Sequence, residues 1–206
     1  MSKVEKRIIT ISREFGSGGR TIAKTLAERL GLTYYDKELV KQVAIETGLD
    51  QQFVSDESEY APSKSAFAYN FQEGLLGGLC AADILWDMQR KVILQLADKE
   101  PCVIVGRNAD YILKDRADCL RVFIHADTSF RAERIVRLYG ETEKTPEERL
   151  KDKDAKRRIN YKHFTEKEWG MSQNYHISLN SGVIGIDKCV DIIADLFTGQ
   201  RNPVNK

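Results

Sequence analysis

The chain has 206 residues, of which 42% are hydrophobic, and its 32 Lys and Arg side chains nearly balance its 31 Asp and Glu side chains. This length fits one compact domain with a sizeable core, and the apolar fraction is too high for a disordered chain. The formal net charge of +1 argues against a general nucleic-acid binder, whose domain would be basic, but leaves room for a local anion site.

The apolar runs and the cysteines narrow the class of protein further. No run approaches the roughly 18 apolar residues of a membrane span, and the stretch 8–11 is too brief for the core of a signal peptide. The four cysteines are scattered without a C-x-x-C pair, and the three histidines lack an H-x-x-x-H spacing. These patterns favour a reduced, cytoplasmic protein without a membrane anchor, a disulfide framework or a zinc site.

Short runs rich in β-branched residues alternate with longer helical patterns along the chain. Strands are predicted at 8–12, 32–35, 101–106, 120–124 and 175–180. Helices are predicted at 21–30, 36–47, 81–97 and 186–197. Because parallel neighbours need long connections, this order implies a five-stranded parallel sheet with right-handed helical crossovers.

Two segments interrupt this alternation. Residues from about 50 to 99 lack strand signals, and residues from about 141 to 170 are highly charged and also favour helix. We therefore predict a single domain over 1–206 with two helical additions. Its core is expected at about 7–49, 100–140 and 171–198.

The first strand runs directly into a glycine-rich turn that opens a helix. Gly16, Gly18 and Gly19 permit positive φ angles and a close approach of the backbone to an anion. A strand, a glycine turn and a helix form the context in which backbone N–H groups and a helix N-terminus bind phosphate. Thr21 would add a hydroxyl of the kind that commonly reaches Mg²⁺. The alternative is an ordinary glycine-rich turn without a ligand.

The turn resembles a known phosphate-binding loop. The run from Gly16 to Ala23 resembles the P-loop of cytidylate kinases, where G-S-G-K-G-T-Φ-A is usual. With Ile11-Ser12-Arg13 it is similar to the I-S-R-x-x-G-S-G-G-R form of the cytidylate kinase-like family. The resemblance implies a three-layer α/β/α P-loop NTPase fold. It also implies that the protein uses ATP and Mg²⁺, with Thr21 as a ligand of the metal. The implied phosphate-binding residues are Arg13, Gly16, Ser17, Gly18, Gly19, Arg20 and Thr21.

The loop departs from the Walker A pattern because it contains no lysine. In the ungapped register, the lysine of the pattern falls on Gly19 and its first glycine on Arg13. An alternative register places the lysine on Arg20 and the first glycine on Glu14. An arginine must then supply the cation, since guanidinium is a permanent charge that can bind phosphate in a bidentate manner. We expect Arg20 to lie over the phosphates with Arg13 nearby.

Segments after the second and third strands resemble the same family and imply an acceptor site in the helical insertion. Asp36 would bond a sugar or an active-site arginine, or else cap a helix. Arg107 follows a strand edge where ligands bind in open α/β sheets, and we expect it to hold the acceptor phosphate rather than a surface ion pair. Cytidylate kinases usually carry an aspartate where this chain has Val105. Either Asp110 replaces it, or the metal relies on Thr21, water and the phosphates alone.

Two arginines follow the fourth strand at a spacing that the family also shows. Arg131 and Arg134 reproduce its A-x-x-x-x-R-x-x-R segment, and residues three apart share one face of a helix. The resemblance implies that both flank the phosphates being transferred. The alternative is a helix surface on which Arg134 pairs with Glu133 or Asp127.

The segment 149–162 carries seven cations against two acids. A solvated helix is the usual meaning of such a run, but the resemblance places the segment in a lid, a helical hairpin that closes arginines over the phosphates and excludes water. Arg157 is the expected lid ligand, and Lys156 and Arg158 are secondary candidates.

The resemblance covers about residues 7 to 197 and implies ATP-dependent phosphoryl transfer to a nucleoside monophosphate, with CMP or dCMP as the implied acceptor. The implied catalytic residues are Arg20, Arg131, Arg134 and Arg157. Two alternatives are a nucleotide-binding protein with weak or lost kinase activity and a kinase for another small metabolite. The expected partners are small-molecule nucleotides, without nucleic acid or membrane.

Overall fold

A parallel sheet of five strands forms the centre of the protein, whose computed structural model describes residues 7–36 and 81–199 together with Leu39, Lys41 and Ile45. The strands are β1 (Ile8–Arg13), β2 (Thr33–Tyr35), β3 (Cys102–Val105), β4 (Cys119–His125) and β5 (Ile177–Asn180). Their order across the sheet is β2-β3-β1-β4-β5, and each neighbouring pair is parallel. The predicted five-stranded parallel sheet is confirmed.

Helices cover both faces of this sheet. They are α1 (Gly19–Leu30), α2 (Ala81–Lys99), α3 (Ala109–Ile112), α4 (Thr128–Tyr139), α5 (Pro146–Thr165), α6 (Ser181–Ile184) and α7 (Ile186–Thr198), with a short 3₁₀ helix at Ser172–Asn174. The helices α1 and α7 share one core cluster with the sheet, and α2 shares another. The predicted three-layer α/β/α architecture is therefore confirmed.

The central strand β1 is buried along its whole length, as expected for a strand covered on both faces. Its alternating side chains belong to opposite cores. Ile9 packs in the cluster that contains Leu26 of α1, whereas Ile8 packs in the cluster that contains Ile93 of α2. This double burial fixes the position of the loop that follows the strand.

Two boundaries differ from the prediction, and both shorten the glycine turn. The strand β1 extends through Arg13, because that residue still pairs with Ile124 of β4. The helix α1 begins at Gly19, two residues before Thr21. The side chain of Arg13 therefore starts from a strand rather than from a loop.

Several predicted elements lie outside the described residues. They are the helix expected from Asp36 to about Thr47, the part of the insertion up to residue 80, and the tail after Gly199. Within the described part of the chain, α2 covers the helical periodicity of 81–97. None of the described helices is both long and apolar enough to cross a membrane.

Candidate phosphate-binding site

The loop between β1 and α1 wraps closely around the N-terminus of α1. Gly16 and Gly18 both have a φ of 82°, in the left-handed region that favours glycine. A Cβ atom at Gly16 would lie 2.8 Å from the carbonyl oxygen of Arg131, and one at Gly18 would lie 2.9 Å from Cδ1 of Ile186. The backbone angle therefore favours glycine at both positions, and at Gly16 the nearby carbonyl oxygen also leaves no room for a side chain.

Hydrogen bonds hold this loop at both ends. The hydroxyl of Ser17 donates to the carbonyl oxygen of Glu14 at 2.9 Å, and the hydroxyl of Ser181 donates to the carbonyl oxygen of Ser17 at 2.5 Å. The first N–H groups of a helix have no intrahelical acceptor. A loop fixed in this way presents those of α1 together, as an anion site requires.

A cavity of about 270 Å³ opens beside the loop. Its cationic lining residues are Arg13, Arg20, Arg134, Lys153 and Arg157. The other lining residues are Glu14, Phe15, Gly16, Gly18, Gly19, Thr21, Leu138 and Tyr139. We call this space the loop cavity. The concentration of positive charge at a helix N-terminus suits a phosphate chain.

A second and much smaller cavity, of about 20 Å³, adjoins it at the edge of the sheet. Its lining residues are Ser12, Arg13, Gly106, Arg107, Asn108, Arg157 and Trp169. We call it the edge cavity. Arg13 and Arg157 line both cavities, so these two side chains stand at the boundary between them.

Arg20 lies at the outer side of the loop cavity and forms an ion pair. Its Nε atom is 2.9 Å from Oδ2 of Asp36, and its Nη2 atom donates to Oδ1 of Asp36 at 3.4 Å. Asp36 is buried, and Tyr34 donates to it at 3.4 Å. Of the roles predicted for Asp36, the structure shows a bond to an arginine of the site.

Arg134 reaches from α4 across to the loop. Its Nη2 atom donates to the hydroxyl of Thr21 at 2.8 Å. Burial and the neighbouring charge of Arg137 lower the pKa of Arg134. The alternative pairing of Arg134 with Glu133 or Asp127 is therefore not what the structure shows, and the residue faces the loop cavity as expected.

Arg131 does not line either of these cavities, and its expected place beside the phosphates stays a prediction. Its Nη1 atom donates to Oδ2 of Asp154 at 2.6 Å and to the carbonyl oxygen of Phe15 at 3.2 Å. Its Nε atom is 3.4 Å from Oε2 of Glu14. Arg134, one turn later on the same face of α4, meets Thr21 instead. Arg131 therefore ties α4 and α5 to the loop.

Arg157 is buried and held by the same aspartate. Its Nη1 atom donates to Oδ1 of Asp154 at 3.2 Å, and its guanidinium carbon lies 6.0 Å from the ring centroid of Phe15. The backbone N–H of Phe15 also donates to Asp154, at 2.8 Å. One carboxylate thus sets the positions of the loop, Arg131 and Arg157 together.

The other predicted lid ligands lie elsewhere. Lys156 is exposed and lines neither cavity. The guanidinium carbon of Arg158 lies 6.0 Å from the ring centroid of Trp169. Arg158 lines a separate cavity together with Phe123 and His125. Successive helical residues point about 100° apart, so only one of the three neighbours can face the phosphate loop. Lys153, one turn before Arg157, is the second cation that α5 contributes to the loop cavity.

The second half of α5 is packed against the core and does not stand apart from it. The ring of Phe164 on α5 stacks on the ring of Trp86 on α2, with 4.6 Å between the ring centroids. Oδ1 of Asn160 accepts a hydrogen bond from the side-chain amide of Asn108 at 2.9 Å. Tyr161 is fully buried. The part of the predicted lid that carries Arg157 is therefore attached to the sheet layer.

Arg107 follows β3 in an unusual backbone turn. Gly106, Arg107 and Asn108 have φ angles of 69°, 56° and 53°, all in the left-handed region. Such angles cost a non-glycine residue on the order of 1–3 kcal/mol. Gln89 supports the turn by donating to the carbonyl oxygen of Arg107 at 3.0 Å, and the bond between Asn108 and Asn160 supports it further. The turn directs buried Arg107 into the edge cavity.

Asp110 does not line either of these cavities, and its expected place on the acceptor side or at a metal stays a prediction. It is 1% exposed, and it accepts hydrogen bonds from Ser12 at 2.9 Å and from Tyr161 at 2.8 Å. Burial raises the pKa of the Asp110 carboxyl, although both hydrogen bonds act to lower it. Asp110 therefore links α5 to β1 through Tyr161 and Ser12.

We predict that Asp110 makes the unfolding free energy fall as the pH rises above 3.8, the ordinary pKa of its carboxyl. The folded pKa is raised, so the folded state holds the proton more tightly than the unfolded chain, and this advantage disappears as the proton is lost. Urea unfolding between about pH 4 and pH 7 measures the effect. The unfolding free energy of the wild type minus that of Asp110→Asn should decrease as the pH rises. Exposed Asp115→Asn is the control, and a difference that rises with pH would contradict the prediction.

The described residues offer no resident metal site. They contain no cluster of three or more His, Cys, Asp or Glu side chains arranged to hold an ion. The hydroxyl of Thr21, the expected Mg²⁺ ligand, accepts from Arg134, and Val105 packs in the core at the position where the family usually has an acid.

Five lining residues of the loop cavity were not among the predicted site residues: Glu14, Phe15, Leu138, Tyr139 and Lys153. The rings of Phe15 and Tyr139 stack at 5.9 Å, with 16° between their planes. Tyr139 is exposed, as is Leu138 beside it. The repeated four-residue spacing of Arg149, Lys153 and Arg157 was a usable signal for Lys153, whereas the two aromatic residues are brought together only by the fold.

Comparisons with known proteins agree with this architecture. The profile of the cytidylate kinase-like family matches residues 8–183. A cytidylate kinase of Archaeoglobus fulgidus is 32% identical over 189 residues, which cover 90% of this chain and 91% of that protein. An uncharacterized protein from Eubacterium ventriosum has a TM-score of 0.72 at 28% identity, over 95% of this chain and 100% of the other. A shikimate kinase from Acinetobacter baumannii, solved in complex with shikimate, has a TM-score of 0.52 at 15% identity, over 98% of this chain and 97% of the other, and shares the fold alone.

Proposed function

The chain belongs to the cytidylate kinase-like family, and we propose that it transfers the γ-phosphoryl group of ATP to a nucleoside monophosphate, with CMP or dCMP as the preferred acceptor. The observation that carries this proposal is the pair of adjoining cavities that share Arg13 and Arg157. Two phosphate groups that must meet for transfer need cations on both sides and between them.

In the proposed reaction, ATP lies with its phosphates against the N-terminus of α1 in the loop cavity, and the acceptor phosphate lies toward Arg107. An oxygen of the acceptor phosphate attacks the γ-phosphorus. The bond from that phosphorus to the oxygen bridging the β- and γ-phosphates breaks, and ADP leaves with the electron pair. No protein nucleophile is needed, so the work of the chain is to position both anions and to neutralise the charge that develops.

The cations divide this work by position. Arg13 and Arg157, at the boundary, would contact the phosphoryl group in transit, while Arg134 and Lys153 would hold the remaining phosphates of ATP. Arg20 would approach from the outer side, oriented by Asp36 at 2.9 Å. Mg²⁺ would arrive as part of the substrate, MgATP, whose charge it reduces.

A second candidate function is nucleotide binding with weak or no transfer. Two observations favour it: Gly19 replaces the Walker lysine in the ungapped register, and buried Val105 stands where cytidylate kinases usually carry an aspartate. A protein of this kind would still bind ATP through the loop. Binding alone therefore does not separate the two candidates, and turnover must be measured.

Coupled ADP release in the presence of MgATP tests the proposal. We expect CMP and dCMP to raise the rate well above the background hydrolysis of ATP, and UMP, AMP and GMP to raise it less. Shikimate and gluconate serve as acceptors without a phosphate group and should leave the background unchanged. Release that no nucleoside monophosphate stimulates, from a protein that still binds ATP, would favour the binding function instead.

A further inference from the structure

The side chain of Arg13 passes two glycines that have no room for a side chain of their own. A Cβ atom at Gly19 would lie 2.5 Å from Cβ of Arg13 and 2.9 Å from its Cγ. A Cβ atom at Gly106, which has a φ of 69°, would lie 2.0 Å from Nη1 of Arg13. The arginine therefore fills a channel that runs from the first turn of α1 to the end of β3.

Arg13 and Gly19 touch at the start of this channel. They are also the two residues that depart from the Walker A pattern in the ungapped register. That pattern has glycine at the position of Arg13 and lysine at the position of Gly19. In this chain the cation and the glycine have changed positions, and the structure shows that the positions are neighbours in space. A cation placed at either one starts from the same point beside the helix N-terminus.

We infer that arginine and glycine have exchanged places in this loop relative to the Walker A pattern, an inference that rests on the proposed function. Arg13 supplies, from the end of β1, the phosphate-binding cation that a Walker A lysine supplies from the first turn of the helix. Gly19 is glycine because the Arg13 side chain occupies the space that the stem of a lysine would need. The exchange decides between the two candidate cations in favour of Arg13.

The positions of the two arginines support this assignment. Arg13 is 5% exposed and lines both cavities, whereas 47% of the Arg20 side chain is exposed and its guanidinium is paired with Asp36 at the outer side. A buried guanidinium loses little freedom on binding and is not screened by solvent as an exposed one is. Arg13 is thus the better placed to act on both phosphate groups at once.

Calorimetric titration of the full chain with MgATP tests the charge of Arg13 separately from its volume. Arg13→Met keeps much of the volume and removes the charge, and we expect it to weaken ATP binding by about tenfold or more. Arg13→Lys keeps a cation and should lose less affinity, and Arg20→Met should lose less than Arg13→Met. The control is Arg29→Met. Arg29 lies at the far end of α1 and pairs with Asp191 at 2.6 Å, so this variant should leave the affinity for MgATP unchanged.

The exchange itself is tested by reversing it. Gly19→Lys alone should lower the melting temperature, because its Cβ would lie 2.5 Å from Cβ of Arg13. The double variant Arg13→Gly/Gly19→Lys should regain part of the lost melting temperature. It should also bind MgATP more tightly than Arg13→Gly alone. If the double variant does not fold, the comparison of Arg13→Met with Arg13→Lys decides by itself.

Two results would overturn the inference in distinguishable ways. Arg13→Met with the ATP affinity of the wild type, or Arg20→Met with the larger loss, would overturn the assignment of Arg13 and leave the proposed function standing. A wild-type protein that does not bind MgATP in the same titration would overturn the proposed function, and the inference with it.

Discussion

Arg157→Ala is expected to lower kcat for phosphoryl transfer by about 100- to 1,000-fold, the usual effect of removing one group that stabilises charge in a transition state. Arg157 is 8% exposed and lines both cavities, which is where the proposed reaction places the transferred group. The KM for ATP should change less than kcat, because Lys153, Arg134 and the loop still hold the other phosphates.

The matched control for this variant is Arg149→Ala. Arg149 lies two turns earlier on α5, and it donates to the carbonyl oxygen of Gly140 at 2.8 Å in a solvent-exposed hydrogen bond outside both cavities. Its loss should leave kcat within about twofold, since charges in contact with solvent have weak effects. A kcat of Arg157→Ala within about threefold of the wild type would contradict the assignment, provided that urea unfolding shows the fold intact.

Arg131→Met is expected to lower the free energy of unfolding by about 3–5 kcal/mol, the range found when one member of a buried ion pair is removed. Asp154 is 2% exposed and would lose its partner at 2.6 Å, which leaves a buried carboxylate supported only by Arg157 and by the N–H of Phe15. Urea unfolding at neutral pH measures the loss.

Two further variants make this expectation specific to the ion pair. Arg137→Met, on the exposed side of the same helix, should change the free energy of unfolding by less than about 0.5 kcal/mol. Asp154→Asn removes the carboxylate that Arg131 and Arg157 share, and it should cost at least as much as Arg131→Met, because both buried guanidinium groups lose that partner. An Arg131→Met variant as stable as the wild type, with weakened ATP binding instead, would return Arg131 to the phosphates.

Much of the fold could be predicted because each strand is a short apolar run closed by a turn. The run from 101 to 106 is one example, and β3 occupies Cys102–Val105 within it. The glycine turn could also be placed, since Gly16 and Gly18 adopt the left-handed angles for which glycine is needed. These features depend on local sequence, which a linear pattern records directly.

The roles of individual arginines could not be predicted from spacing, because tertiary contacts decide them. Arg131 and Arg134 share a face of α4 by spacing, yet one meets buried Asp154 and the other meets Thr21. The choice between Arg13 and Arg20 depends on which guanidinium is buried between the two cavities and which is exposed beside Asp36. No pattern within the loop contains that information.

The attachment of α5 to the core has a consequence for the thermodynamics of ligand binding. An arginine side chain carries about 2 kcal/mol of rotamer entropy, which is lost when the side chain is ordered. Arg157 is already buried and bonded to Asp154, so this loss accompanies folding and does not recur with each ligand. A nucleotide entering the loop cavity therefore meets a cation of fixed orientation, and the cost of ordering that side chain does not enter its dissociation constant.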